Sequence, residues 1–173
     1  METGAPKYGK THQGAFDDSC WARGQAWGVY GFPLSSRHTG DMAFLNEGRR
    51  LARYFMDNLP ADGICYWDMY YKDGAYEPRD SSAMVIAACG VLEQLKLLPP
   101  TSEEAARCRD FVAATFRNLT RHYLAPPDQN GVLLHATYAK NPSNLGVDEF
   151  NIWGDYFYME LCMRLLDAWT PYW

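Results

Sequence analysis

Apolar residues recur at intervals of three and four along most of the chain, which confines it to packed amphipathic helices. Leu45, Gly48, Ala52 and Phe55 form one such stripe, and Asp41 stands ahead of it as an N-cap. Asp80, just after Pro78 and Arg79, opens a second helix with Ala83, Ile86, Ala87, Gly90 and Val91 on one face. Thr101-Ser-Glu-Glu104 reads as a capping box. It starts a third helix with Ala105, Cys108, Val112, Phe116 and Leu119 inward. A fourth is predicted from about Asp155, aligning Tyr158, Cys162, Leu165 and Trp169. Asp17-Asp18-Ser19 is predicted to start another, ending near Gly31-Phe32-Pro33. Strand alternation is confined to short pieces at 64–67 and 132–135. The expected fold class is all-α.

A faint repeat runs through these elements. A helix ends in aromatics (Tyr54-Phe55, then His122-Tyr123), and a turn with Gly63 or Gly131 leads into a short apolar run. A loop then reaches a helix opened by Asp80 or Asp155. Helix–loop–helix units of this kind stack as a solenoid or as a closed α/α toroid. In a toroid the long loops gather on one face and make a pocket. Five or six helices are too few to close a toroid of six hairpins.

The composition narrows the function. A chain of 173 residues, 47% hydrophobic and 21% charged, is one globular domain with a real core. Its net charge of −5, with no Lys/Arg-rich run, argues against a nucleic-acid or anionic-membrane partner. The longest apolar stretch, 83–92, is about half of the ~20 residues that a membrane helix needs. No signal peptide is read at the N-terminus. Five scattered cysteines without a Cys-x-x-Cys pair indicate reduced thiols in a cytoplasmic protein. His12, His38, His122 and His135 have no metal-ligand spacing, and no metal or cofactor is expected. Asn118-Leu-Thr120 matches a glycosylation sequon by chance. Aromatic residues reach 15%, enough for a core and also for flat platforms against sugar rings.

The densest chemistry lies between Thr11 and Phe32. On a helix, Arg23 and Trp27 are i,i+4 neighbours, so the guanidinium can lie on the indole, with Trp21 near the helix start. Two readings of this spacing stand. Trp21 and Trp27 stack on a ring, Arg23 forks a carboxylate and Gln13 reads hydroxyls. Alternatively, both tryptophans are core and Arg23 is a structural ion-pair partner. Asp17, Asp18, Asp80 and Asp155 all stand where helix caps are expected, so none is an obvious catalytic acid.

Trp21-Ala-Arg-Gly-Gln-Ala-Trp27, preceded by His12-Gln13-Gly14 and followed by Tyr30-Gly31-Phe32, resembles the signature of unsaturated glucuronyl hydrolases, glycoside hydrolase family 88. The likeness continues in order through Leu59-Pro-Ala-Asp-Gly63, Tyr66-Trp67-Asp68, Arg79-Asp-Ser-Ser-Ala83, Gly131-Val-Leu-Leu-His-Ala136, Ile152-Trp-Gly-Asp-Tyr156 and Trp169-Thr-Pro-Tyr-Trp173. The related unsaturated rhamnogalacturonyl hydrolases tend to carry Asn-Gly where this chain has Gln25-Ala26.

The resemblance implies an (α/α)6 barrel, of which this chain holds about half, the C-terminal part, as a single partial domain. It implies a reaction on oligosaccharides that polysaccharide lyases have cut, leaving a 4,5-unsaturated uronic acid at the non-reducing end. An aspartic acid protonates C4 and helps water add at C5, and the hemiketal collapses to release the sugar. That chemistry needs a carboxyl whose pKa is raised enough to donate near neutrality. The positions matching the family's binding residues are Gln13, Trp21, Arg23, Trp27 and Tyr156. The family's two functional aspartates and a substrate-binding histidine have no match here, so the chain is expected to be inactive alone. Its partners are an unsaturated uronyl oligosaccharide and, through the open faces of a half-toroid, a second copy or the missing half. The alternative is a non-catalytic helical-repeat module that binds carbohydrate or protein.

Overall fold

The structure, a computed structural model, describes residues 7–141, 143–167 and 170. Among these residues there are five helices and one two-stranded sheet. The first helix, α1, spans Ala22–Thr39. It does not start at Asp17-Asp18-Ser19. There Asp17 Oδ1 accepts from Thr11 N, and Phe16 N donates to Ser19 Oγ, which spends the predicted cap on a turn. It also runs past its predicted end, through Pro33, and stops at Gly40, whose left-handed φ of 75° suits a glycine. Pro33 is tolerated because its ring packs on the bare backbone of Gly48, where a Cβ would stand 3.0 Å from Pro33 Cδ.

The next helix, α2, spans Met42–Asp57, and Asp41 caps it as predicted by accepting from Ala43 N. Leu45, Gly48, Ala52 and Phe55 are all buried. The central helix, α3, spans Ser81–Leu95, capped by Asp80 through Ser82 N and Ala83 N. The predicted apolar face is buried, and so is the rest of the helix down to Val91. No charged residue interrupts it before Glu93, and such a helix suits enclosure on all sides. It packs against α1, α2, α4 and α5.

In α4, Glu103–His122, the cap is Ser102, one residue later than predicted, accepting from Ala105 N. Glu104 is thereby free to pair with Arg49 of α2 at 2.5 Å. Ala105, Cys108, Val112 and Leu119 are buried and Phe116 half-buried. The last helix, α5, spans Ile152–Leu166 and begins at Asn151, whose side chain accepts from Gly154 N at 2.7 Å. Asp155 is not its cap. Its Oδ1 accepts from Val132 N and Leu133 N and ties down the loop between α4 and α5. Tyr158 is buried, Cys162 half-buried and Leu165 exposed, while Trp169 and the segment 171–173 lie outside the described residues.

The strand pieces predicted at 64–67 and 132–135 form only isolated bridges, Tyr66 with Arg79 and Leu124 with Leu133. The sheet lies further on. Strand β1, Ala136–Ala139, pairs antiparallel with β2, Leu145–Glu149, with an irregular register between Ala136 and Thr137. The all-α expectation is amended by this hairpin. The two helix–loop–helix units of the repeat are α2 to α3 and α4 to α5. All five cysteines are free thiols. No helix among the described residues is long and apolar enough to cross a membrane.

At the far ends of α1, α3 and α5 the buried Glu93 carboxylate takes Arg37 at 2.8 Å, and Lys96 and Arg164 at 2.9 Å. Arg164 also reaches Glu160 at 2.7 Å. Burial pushes the Glu93 carboxyl up, but these three donors outweigh it and hold it below the ordinary value. A lowered carboxyl pKa stabilises the fold above the unfolded value and loses that contribution as the pH falls through the folded one. Glu93→Gln is therefore expected to cost about 2 kcal/mol at pH 7, the scale of charged hydrogen bonds. The gap to wild type should close as the pH drops below about 4.5. Urea midpoints of both proteins between pH 7 and pH 3 check this; a gap that stays constant refutes it.

Candidate functional site

The opposite ends of these helices converge. Arg23 lies in the first turn of α1, Asp80 caps α3 and Asn151 caps α5. Arg23 is 2% exposed and Asp80 wholly buried. Arg23 Nη1 donates to Asp80 Oδ2 at 3.1 Å, to Ser82 Oγ at 3.4 Å and to the Thr137 carbonyl. Its Nη2 donates to the Tyr138 carbonyl. Asn151 Nδ2 donates to the same Ser82 Oγ at 3.5 Å. Burial pushes the Asp80 carboxyl up, against the Arg23 charge and the donors Ser82, Thr137 and Ala83.

Aromatic rings cover this pair. The guanidinium lies 4.9 Å from the Trp21 ring centroid and 5.3 Å from that of Trp153. Tyr138 stacks on Trp153 at 5.5 Å and 11°. The predicted contact of Arg23 with Trp27 is replaced by this arrangement. A buried carboxylate and two carbonyls outbid a cation–π contact worth about 0.5–2 kcal/mol, and they draw the side chain toward the helix start. Trp21 folds back over α1 because residue 24 is glycine; a Cβ there would stand 2.6 Å from the indole.

The other predicted site residues spread from this cluster. Gln13 is half-buried in the segment 11–19, which the Asn141 amide joins to the hairpin through the Gly14 and Ala15 carbonyls, both at 3.4 Å. Trp27 is half-buried one turn deeper, edge-on to Phe157 at 5.4 Å. It lines a groove of about 200 Å³ with Gly28, Gly31, Phe32 and Ser35. Tyr156 also meets Phe157, at 4.9 Å. Burial, then neighbouring Glu160, pushes its hydroxyl up to about 12. It belongs with the Glu160 and Arg164 network more than with Arg23.

Sequence reasoning missed Trp153, Tyr138 and Asn141, and it read Asp80 only as a cap. Tyr138 and Trp153 have no helical spacing to Arg23, so folding alone brings them over it. Three of the candidate carboxylates are engaged, Asp80 by Arg23, Asp155 by two amides and Asp17 by Thr11 N, while Asp18 is exposed on the turn before α1. Among the described residues no three His, Cys, Asp or Glu side chains are grouped to hold a metal ion. Half-exposed flat rings beside three helix N-termini suit an anionic ligand with a ring face.

No protein-family profile matches the chain. It is 45% identical, over 99% of its length, to an unsaturated chondroitin disaccharide hydrolase of Streptococcus pneumoniae, covering 44% of that protein. It is 39% identical, again over 99% of its length, to an unsaturated glucuronyl hydrolase of Bacillus sp. GL1, covering 46%. Among solved structures, an unsaturated glucuronyl hydrolase variant from Streptococcus agalactiae complexed with dGlcA-GalNAc6S superposes with a TM-score of 0.89 at 41% identity. That match covers 99% of this chain and 46% of the other. A structure described as specific for heparin matches at 31% identity and a TM-score of 0.83, covering 93% of this chain and 43% of that one. The chain thus spans a little under half the length of these relatives, and in both sequence and fold it is a homologue of the unsaturated glucuronyl hydrolases.

Proposed function

We propose that the chain supplies part of the substrate-binding wall of a hydrolase that releases 4,5-unsaturated uronic acid from lyase-generated oligosaccharides by hydrating the vinyl ether. One observation carries this reading. In a chain homologous throughout to such hydrolases, the Arg23–Asp80 pair is roofed by Trp21 and Trp153 where three helix N-termini meet. Trp21 offers a stacking face to the unsaturated ring. The helix ends favour its carboxylate, Arg23 braces them from below through Asp80, and Gln13 reaches for hydroxyls. Trp27 and Tyr156 line the same inner face one to two turns deeper. The acid–base carboxyl comes from a part of the relatives that this chain does not cover, because Asp80 and Asp155 are already spent on structure and Asp17 and Asp18 lie on the exposed turn before α1.

The chain is then about half of an (α/α)6 barrel, with α1, α3 and α5 inside and α2 and α4 outside. The groove beside Trp27 and the exposed Met159, Met163 and Leu166 of α5 are the open edges. The remaining hairpins cover them, or a second copy does.

An ultraviolet assay with an unsaturated chondroitin disaccharide tests this, because hydration abolishes the absorbance of the conjugated double bond. The isolated chain is expected to leave the absorbance unchanged. It should bind the disaccharide in calorimetry, with affinity about tenfold weaker in Trp21→Ala. Turnover at an enzyme-like rate would overturn the proposed division of labour. Absence of binding would leave the helical-repeat module as the better reading.

A further inference from the structure

The segment that carries Gln13 hangs from one carboxylate. Asp68, in the loop after α2, is wholly buried. Its Oδ2 accepts from Ala15 N at 2.9 Å and from Ser19 Oγ at 2.6 Å, and its Oδ1 accepts from Tyr70 N at 3.0 Å. Backbone bonds flank it: Ala22 N donates to Trp67 O at 3.0 Å and Met69 N to Cys20 O at 2.8 Å. The segment folds onto the carboxylate so closely that residue 14 has no room for a side chain. A Cβ there would stand 2.6 Å from Thr11 Oγ1, 2.9 Å from Ser19 Oγ and 3.2 Å from Asp68 Oδ2. Asn141 grips the same residues from the hairpin side.

We infer that Asp68 is a positioning residue that fixes Gln13 at the mouth of the site by holding residues 14–19. The inference rests on the proposed function, which makes Gln13 a ligand contact. Asp68 is buried beneath the segment and acts through it. A neutral amide cannot replace this carboxylate. Asparagine can still accept from Tyr70 N, but it turns an NH₂ toward the Ala15 N–H, donor against donor. Gly14→Ala attacks the same contact from the other side, and Ser19→Ala removes the 2.6 Å bond together with the acceptor of Phe16 N.

Two measurements on the 173-residue chain test the inference. In hydrogen exchange, Asp68→Asn and Gly14→Ala are expected to speed exchange at 11–20 about tenfold while α3 keeps its protection. In calorimetry with the unsaturated chondroitin disaccharide, Gln13→Ala and Asp68→Asn should each weaken binding about tenfold, and the double variant should bind no more weakly than Gln13→Ala. Unchanged exchange at 11–20 in Asp68→Asn overturns the inference, as does a further loss of affinity in the double variant. Normal exchange effects with no disaccharide binding by the wild type would instead overturn the functional reading of Gln13. If Asp68→Asn does not fold, Ser19→Ala takes its place in both measurements.

Discussion

Asp80→Ala is expected to destabilise the chain by about 3–5 kcal/mol, the cost of stranding one partner of a buried ion pair. Arg23 stays 2% exposed, and its remaining hydrogen-bond partners, Ser82 and the carbonyls of Thr137 and Tyr138, carry no formal charge. The same substitution uncaps α3, since the Asp80 side chain accepts from Ser82 N and Ala83 N. At a urea slope of about 2 kcal/mol/M, the midpoint should fall by about 2 M. Asp80→Asn should lose less, because an amide oxygen can still cap the helix. In the Asp80→Ala background, Arg23→Ala should cost far less than in the wild type, because the charge it removes is already unpaired. A midpoint for Asp80→Ala within 0.3 M of wild type, at roughly the slope above, would mean that water reaches Arg23 and that the pair is not a buried one.

Gly90→Ala is expected to cost 3 kcal/mol or more, at the upper end of overpacking effects, which typically run to ~3 kcal/mol. A Cβ at residue 90 would stand 2.5 Å from the Val29 carbonyl oxygen and 2.6 Å from Tyr30 Cα. Both are backbone atoms of α1, so no rotamer change relieves the clash and the two helices must separate. Pro33 adds to the sensitivity of this place. It has no N–H to donate to Val29 O four residues earlier, so this carbonyl lacks its intrahelical partner. It faces Gly90 instead, where a Cα–H can approach it. Thermal unfolding of Gly90→Ala and Gly90→Ser should show a graded loss. A melting temperature unchanged in Gly90→Ala would show that α1 and α3 are not in backbone contact.

These effects bear on how much of the molecule can be read from its residues. The stripes at Leu45, Gly48, Ala52 and Phe55 and at Ala105, Cys108, Val112 and Leu119 are buried where their spacing puts them. Asp41 and Asp80 cap the helices that they precede. The misplaced boundaries have identifiable causes. Pro33 should have ended α1, but Gly48 and Gly90 give its neighbourhood close backbone packing from two other helices. Asp155 resembled a cap, yet its carboxylate serves two amides more than 20 residues away. The hairpin carried little signal. Its strands have four and five residues, and left-handed backbone falls on His135, Asn144 and Asp148 as well as on Gly146, so one glycine alone marks it.

The candidate site divides in the same way. The stretch from Trp21 to Trp27 stood out in the sequence because its rings and charge are packed into seven residues. Spacing left open whether Arg23 is a ligand contact or an ion-pair partner, and it suggested the wrong ring. Helix caps and apolar stripes are settled among residues three or four apart, so the sequence alone determined them. The partners of Arg23 are 57 and 114 residues away, at Asp80 and Thr137. Which buried charge meets which depends on how the helix ends are brought together, and that was decided by the tertiary structure.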